Sequence, residues 1–310
     1  MSTRVRLIAI ALVLATIVAA GCGKQPEGKQ SADIGTARNP IKMAMVPSLD
    51  TQKLVVSGAQ LAMLLERETG LKYEISVPAS YTAVITAMGA GTVDVGWLSP
   101  LPYVIAHDRY GVEVVLRTVR DNSDKYWSFI IARTDTGINK LTDLKGKRFA
   151  YGDPLSTSGA IYPKHLIRAS GFDPETFFSN AIYAGAHDRV VMSVYSKQVD
   201  GGAIYGGVKT DAREKVLKPL PDVMSKTHVI AKSIAIPNDT VSVRKGLPPA
   251  IVKRITDALV VISKSEDGRK TIFDLYGIDG FVPAKDADYD SVRKVAKAEN
   301  IKLEQIDKKK

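Results

Sequence analysis

A chain of 310 residues with a hydrophobic fraction of 45% and a charged fraction of 25% is long enough for two cores and too apolar for a disordered segment. Its net charge of +10 comes from 43 basic and 33 acidic side chains, and the basic ones are scattered. Without an arginine-rich stripe or a basic–aromatic alternation this argues against nucleic acid and suits a small anion or an anionic membrane surface.

Residues 1–21 carry Arg4 and Arg6, an apolar run over 7–20, and then Ala19-Ala20-Gly21, which is the plan of a secretory signal peptide. Its removal leaves 41 basic against 33 acidic side chains, or +8. The run is short for a membrane span. Cys22 follows directly and is the chain's one cysteine, so no internal disulfide is available and the fold rests on its cores. The segment resembles a bacterial lipoprotein signal, with Ala19 where leucine is usual; the resemblance implies that Cys22 carries the lipid. The alternative is an ordinary signal with an incidental cysteine. Residues 22–40 are polar and aperiodic and read as a flexible tether.

From residue 41 strands and helices alternate. Apolar strands are predicted at 41–46 and 73–77, with an amphipathic helix at 54–69 stopped by Gly70. A short helix from Tyr81 leads to a strand at 93–98, and β-branched and aromatic runs at 112–119 and 127–133 read as further strands. A second unit starts near Gly137: a strand at 148–151, a loop Gly152-Asp153-Pro154, a helix opened by Ser156-Thr157-Ser158-Gly159, and strands at 180–183 and 202–205. Residues 234–244 read as extended with a break at Pro237-Asn238-Asp239, and helices follow at 249–264 and 289–300. This alternation predicts an α/β protein whose mainly parallel sheets are covered on both faces.

The two halves echo each other. Residues 81–96 (YTAVITAMGAGTVDVG) align without a gap on 187–202 (HDRVVMSVYSKQVDGG), an offset of 106. Val84, Ile85 and Met88 fall on Val190, Val191 and Val194, while Val93, Asp94 and Gly96 fall on Val199, Asp200 and Gly202. Each copy reads as a helix, a turn and a strand, with a hydrogen-bond donor, Tyr81 or His187, at the helix start. Helix starts attract anions, so two such halves describe a clamshell around one; the alternative is that any two strand–helix units share the pattern. Asp94 and Asp200 read as structural residues closing the turn. If 234–244 returns to the first sheet, the chain crosses between lobes near 133–137 and 232–239, forming a hinge.

Ser156, Thr157 and Ser158 place hydroxyls and free backbone N–H groups at one helix start, and Gly159 permits close approach; this is an oxyanion cradle or a plain serine-rich cap. Asp153 and Pro154 read as turn residues. Ser156, His187 and Asp239 could in principle form a hydrolytic triad, but no GxSxG elbow supports it. His107, His165, His187 and His228 are dispersed, without metal-ligand spacing.

Several stretches in one order resemble the periplasmic binding proteins of phosphonate, phosphite and phosphate ABC transporters. They are Ser80-Tyr81, Val93-Asp94-Val95-Gly96-Trp97, Tyr126-Trp127-Ser128, Gly152-Asp153-Pro154, Ser156-Thr157-Ser158-Gly159, Ala184-Gly185-Ala186-His187 and Ile236-Pro237-Asn238-Asp239. The resemblance spans about residues 41–283. It implies a two-lobed class II solute-binding fold with 41–135 and 236–310 in the first lobe and 136–235 in the second. It further implies a monomeric, lipid-anchored carrier at the outer face of a bacterial membrane, without cofactor, metal or catalysis, that delivers a phosphorus oxyanion to a permease and its ATPase. Tyr81, Tyr126, Ser156, Thr157, Ser158 and His187 would donate to the oxyanion, and Asp239 would accept from it. A carboxylate beside a dianion repels it unless the ligand brings a proton or a cation. Members of the family that bind aminoalkyl phosphonates use a second acidic residue downstream of the histidine; the matching position here is Gly207, which favours phosphate, phosphite or a small alkylphosphonate. Another small anion such as a sulfonate, a thiamine-type precursor, or a sensor role for a membrane kinase are the alternatives. Trp97 and Trp127 are expected near the cleft or hinge and should report binding by fluorescence.

Overall fold

The computed structural model describes residues 33–301. The signal segment, Cys22 and the tether up to residue 32 lie outside the described residues. The strands, in chain order, are β1 (Ile41–Met45), β2 (Tyr73–Ser76), β3 (Val95–Leu98), β4 (Glu113–Val119), β5 (Lys125–Arg133), β6 (Arg148–Tyr151), β7 (Asn180–Tyr183), β8 (Gly201–Gly206), β9 (Thr227–Lys232), β10 (Ile236–Pro237), β11 (Thr240–Val243) and β12 (Gly280–Pro283). The helices are α1 (Thr51–Thr69), α2 (Tyr81–Gly89), α3 (Pro100–Tyr110), α4 (Tyr162–Ala169), α5 (His187–Tyr195), α6 (Val223–Lys226), α7 (Pro249–Ile262), α8 (Glu266–Tyr276) and α9 (Asp290–Ala298).

Among the described residues the strands form two sheets, ordered β12-β4-β11-β3-β1-β2 and β10-β5-β8-β6-β7, with β9 also paired to β5. Each is mixed rather than mainly parallel. β2, β1 and β3 run parallel, as do β7, β6 and β8, but β11 enters the first sheet antiparallel to β3 and β4, and β5 runs antiparallel to β8, β9 and β10. β5 and β11 are the strands that follow the two passages of the chain between sheets, and β12 adds to the first sheet antiparallel to β4.

The crossings lie at 120–124, between β4 and β5, and at 238–239, between β10 and β11. The first differs from the expected position near 133–137. The period of β5 announces a strand but not its partners, and β5 spends both edges in the second sheet, on β8 and β9. Residues 33–40 also depart from the tether reading. Ile34 is buried, Gly35 N–H donates to Asn39 O at 2.7 Å, and Lys72 N–H donates to Gly35 O at 2.8 Å, which ties the segment to the first lobe.

α1 starts at Asp50, whose carboxylate accepts from Lys53 N–H at 2.9 Å, and ends at Gly70, whose φ of 67° suits glycine. Its buried Leu54, Leu61 and Leu65 share a core with Ile41, Met43 and Met45 of β1 and with α7 and α8. The echoed helices obey the offset found in the sequence: α2 and α5 are nine residues each, and the following strands begin at Val95 and Gly201. Asp94 accepts from the backbone N–H of Lys42 and Asp200 from that of Arg148, both at 2.9 Å, so each fastens a strand entry to the strand beside it. A Cβ at Gly96 would strike Met88, and one at Gly202 would lie 2.5 Å from Val190 Cγ1; both glycines let an echoed helix lie close on its strand. α9 touches α3 of one lobe and α4 of the other, where the buried Glu299 carboxylate meets His165 Nδ1 and Arg168 Nε, each at 3.2 Å.

Candidate functional site

Three helix starts converge between the lobes. Ser80 caps α2 by accepting from Ala83 N–H at 3.2 Å, which leaves Tyr81 at the first turn, facing the cleft. From the second lobe, Ser156 caps the segment 157–169. Its Oγ accepts from Gly159 N–H at 3.0 Å, and its carbonyl accepts from both Ala160 and Ile161 N–H, at 3.1 and 3.2 Å. That widened first turn is of a kind enriched at functional sites. Gly159 is required sterically, since a Cβ there would lie 2.8 Å from Ser156 Oγ and 3.1 Å from His187 Cε1. α5 begins with His187, whose N–H donates to Ser48 O of the first lobe at 3.0 Å. Two further bonds join the lobes: Leu101 N–H donates to Thr157 Oγ1 at 2.9 Å, and Asp153 accepts from the Tyr81 backbone N–H. The conformer is closed.

Between them lies a cavity with about 30 Å³ open to the centre of a water-sized sphere, space for two or three waters and none for a nucleotide or an aromatic group. Tyr81, Tyr126, Ser156, Ser158, His187 and Asp239 line it together. Thr157 does not; its hydroxyl is committed to Leu101 N–H and lies 3.4 Å from Ser99 Oγ, so it holds the lobes together. Of the tryptophans, Trp97 lines the cavity, while Trp127 lies elsewhere with Lys232 Nζ 3.5 Å above its ring.

The lining is rich in neutral donors. Burial pushes the Tyr81 and Tyr126 hydroxyls well above the ordinary range, so both stay protonated; they pair with Ser156 and Ser158 respectively. Burial, then the charge of Arg120, pushes the His187 imidazole down to about 4. Among the described residues, two lining groups have buried polar atoms without a hydrogen-bond partner, His187 Nδ1 and Thr118 Oγ1. Such atoms are costly unless a ligand or water satisfies them.

Sequence reasoning missed Thr118, Tyr205, Tyr276 and above all Arg120. Arg120 is buried directly after β4, and its Nη2 lies 2.6 Å from Asp239 Oδ2. The charge of Asp239 is thereby answered inside the protein. The available signal was an arginine ending an apolar strand just before a crossing. Arg120 and Asp239 are the lining's charged pair, and no cluster of metal-ligating side chains occurs among the described residues.

A family model described as "ABC transporter, phosphonate, periplasmic substrate-binding protein" matches residues 43–289. The phosphonates-binding periplasmic protein of Escherichia coli (strain K12) is 30% identical over 237 residues, covering 75% of this chain and 68% of its own. The phosphate-import protein PhnD of Mycolicibacterium smegmatis is 28% identical, covering 93% of this chain and 94% of its own. In fold, the chain matches a binding-protein component of a Pseudomonas aeruginosa ABC phosphonate transporter with a TM-score of 0.76, at 24% identity and with 84% and 87% of the two chains covered. PhnD1 of Prochlorococcus marinus, solved with methylphosphonate, matches with a TM-score of 0.74 at 19% identity, covering 84% of this chain and 98% of its own.

Proposed function

The chain belongs to the family of periplasmic substrate-binding proteins of phosphonate ABC transporters, and from that premise we propose that its ligand is a small phosphorus oxyanion held in the cavity between the lobes: phosphate, phosphite or a short alkylphosphonate. As a member it is the extracytoplasmic solute-binding component of an ABC importer, a carrier and not an enzyme. The observation that carries the reading is the convergence of neutral donors from both lobes on one small cavity with two unsatisfied polar atoms.

In this reading Tyr81 and Tyr126 donate hydroxyl hydrogens, and Ser156 and Ser158 donate hydroxyls beside the free N–H groups of their helix start. His187 adds a ring nitrogen, and Thr157 contributes backbone N–H while its side chain holds the lobes together. Asp239 accepts the proton of a P–OH group. Donors supplied by both halves are satisfied together only when the clamshell is shut, so the ligand selects the closed state. The absence of a side chain at Gly207 and the engagement of Asp239 by Arg120 speak against an aminoethyl substituent. The closed form meets a permease as a monomer, anchored to the membrane by lipid on Cys22; replacing Cys22 by serine should release the protein from membranes without altering ligand affinity.

Calorimetric titration with phosphate, phosphite, methylphosphonate, aminoethylphosphonate and methanesulfonate tests the reading. A phosphorus oxyanion without an amine should bind most tightly. Each hydroxyl bonded to a charged ligand contributes about 1.5–3 kcal/mol, so a Ser156→Ala/Ser158→Ala double variant should bind at least about a hundredfold more weakly. Tightest binding of the sulfonate or the amine, or an unchanged double variant, would overturn it.

A further inference from the structure

We propose that Arg120 is the specificity-determining residue of the cavity, the group that refuses ligands bearing a positive charge. The inference deepens the reading above and rests on it. Asp239 is the cavity's one carboxylate among the described lining residues, and alone it would draw in an ammonium substituent. Arg120 occupies it first, with Nη2 at 2.6 Å from Oδ2.

The guanidinium is held on three sides. Nε donates to Tyr276 O at 3.0 Å and Nη1 to Asn238 Oδ1 at 3.3 Å, and its Cζ stands 6.0 Å from the centre of the Tyr126 ring. Asn238 is itself fixed, its Nδ2 donating to Ser123 O and its N–H to Asp124 O, both at 2.9 Å. Arg120 therefore bridges the first crossing to the second, and swinging away would break its bonds to Tyr276, Asn238 and Asp239 together.

The neighbouring carboxylate is also spoken for. Asp121 Oδ2 accepts from Lys209 N–H at 2.8 Å and from Thr210 N–H and Oγ1, both at 3.1 Å. A Cβ at Gly207 would lie 2.5 Å from that same oxygen, so the position is closed to an acidic side chain. A ligand ammonium group entering the cavity would lose its water, face a guanidinium and find no unpaired acid. A phosphoryl group loses nothing by this arrangement, because the Arg120–Asp239 pair is neutral as a whole and the remaining donors are uncharged.

Ethylphosphonate and aminomethylphosphonate have nearly the same shape and differ in a methyl against an ammonium, so their affinity ratio isolates the effect. Calorimetry on the full-length protein should show the wild type favouring ethylphosphonate by about tenfold or more. In Arg120→Gln the ratio should move about tenfold or more toward the amine, as Asp239 is freed to pair with it. Arg120→Lys keeps a cation and should stay within about threefold of the wild-type ratio, whereas Asp239→Asn should widen it. If Arg120→Gln does not fold, the widened ratio of Asp239→Asn carries the test. Ratios in Arg120→Gln and Asp239→Asn that match the wild type overturn the assignment, as does absence of any gain of the amine. Phosphate, phosphite and methylphosphonate run alongside separate the two levels: a wild type that binds none of them refutes the oxyanion reading, and one that binds them with an insensitive ratio refutes the role of Arg120.

Discussion

Ser156 shows how much a single oxygen is asked to do: its Oγ accepts from Gly159 N–H and so caps a helix, while its own hydrogen remains free for Tyr81 or a ligand. His187 is the residue through which acidity should act. Its imidazole is pushed from 6.5 down to about 4 in the closed conformer. Between those values the unfolded chain holds more protons than the folded one, so stability weakens as pH falls through this window. The denaturant stability of the ligand-free protein should therefore fall as pH is lowered from 6.5 toward about 4, and His187→Gln should flatten that fall; an equally deep fall in the variant would exclude the role. Trp97 lines the cavity and Trp127 does not. Any emission change on binding should thus survive Trp127→Phe and vanish in Trp97→Phe; the reverse would place the ligand elsewhere. At this scale Tyr81, Ser156 and His187 were legible because each opens a helix whose apolar period marks its start. Arg120 was not, because nothing in a strand's alternation says that the residue just after it meets Asp239 across 119 positions of chain.

The echoed elements give the site its symmetry. α2 with β3, and α5 with β8, repeat the same helix length, the same aspartate clasp and the same glycine under the helix. The glycines make a testable difference. Gly202→Ala puts a methyl against Val190 and Val194, which are β-branched and stiff, and should destabilise the protein by about 1–3 kcal/mol in denaturant unfolding. Gly96→Ala meets the flexible Met88 and should cost less, about 1 kcal/mol. Equal penalties would show that the two copies do not pack as described. Periodicity was enough to find these helices, since one face must be buried and the spacing records which. It did not assign β5 to a sheet, because every half-buried strand has the same period whichever neighbours it takes.

At the scale of the whole molecule, closure is a set of bonds between lobes. Thr157 supplies one that does not involve the cavity lining, accepting from Leu101 N–H. Thr157→Val keeps the shape and leaves that buried N–H unpaired only when the cleft is shut. This should cost the closed state about 1–3 kcal/mol, weakening the ligand by about five- to a hundredfold with little change in the stability of the open form. Small-angle scattering should show the variant needing more ligand to contract; contraction at the wild-type concentration would exclude the role.

By itself the amino-acid sequence determined the alternation of strands and helices, the duplicated helix–turn–strand unit, the donors at three helix starts and the family. All of these are written in local spacing, where neighbours along the chain are neighbours in space. Only the tertiary structure decided where the chain crosses between sheets, that residues 33–40 fold against the first lobe, that Thr157 turns to Leu101, and that Arg120 answers Asp239. Those depend on which distant segments the two cores bring within a few ångströms of each other, and no local period encodes that.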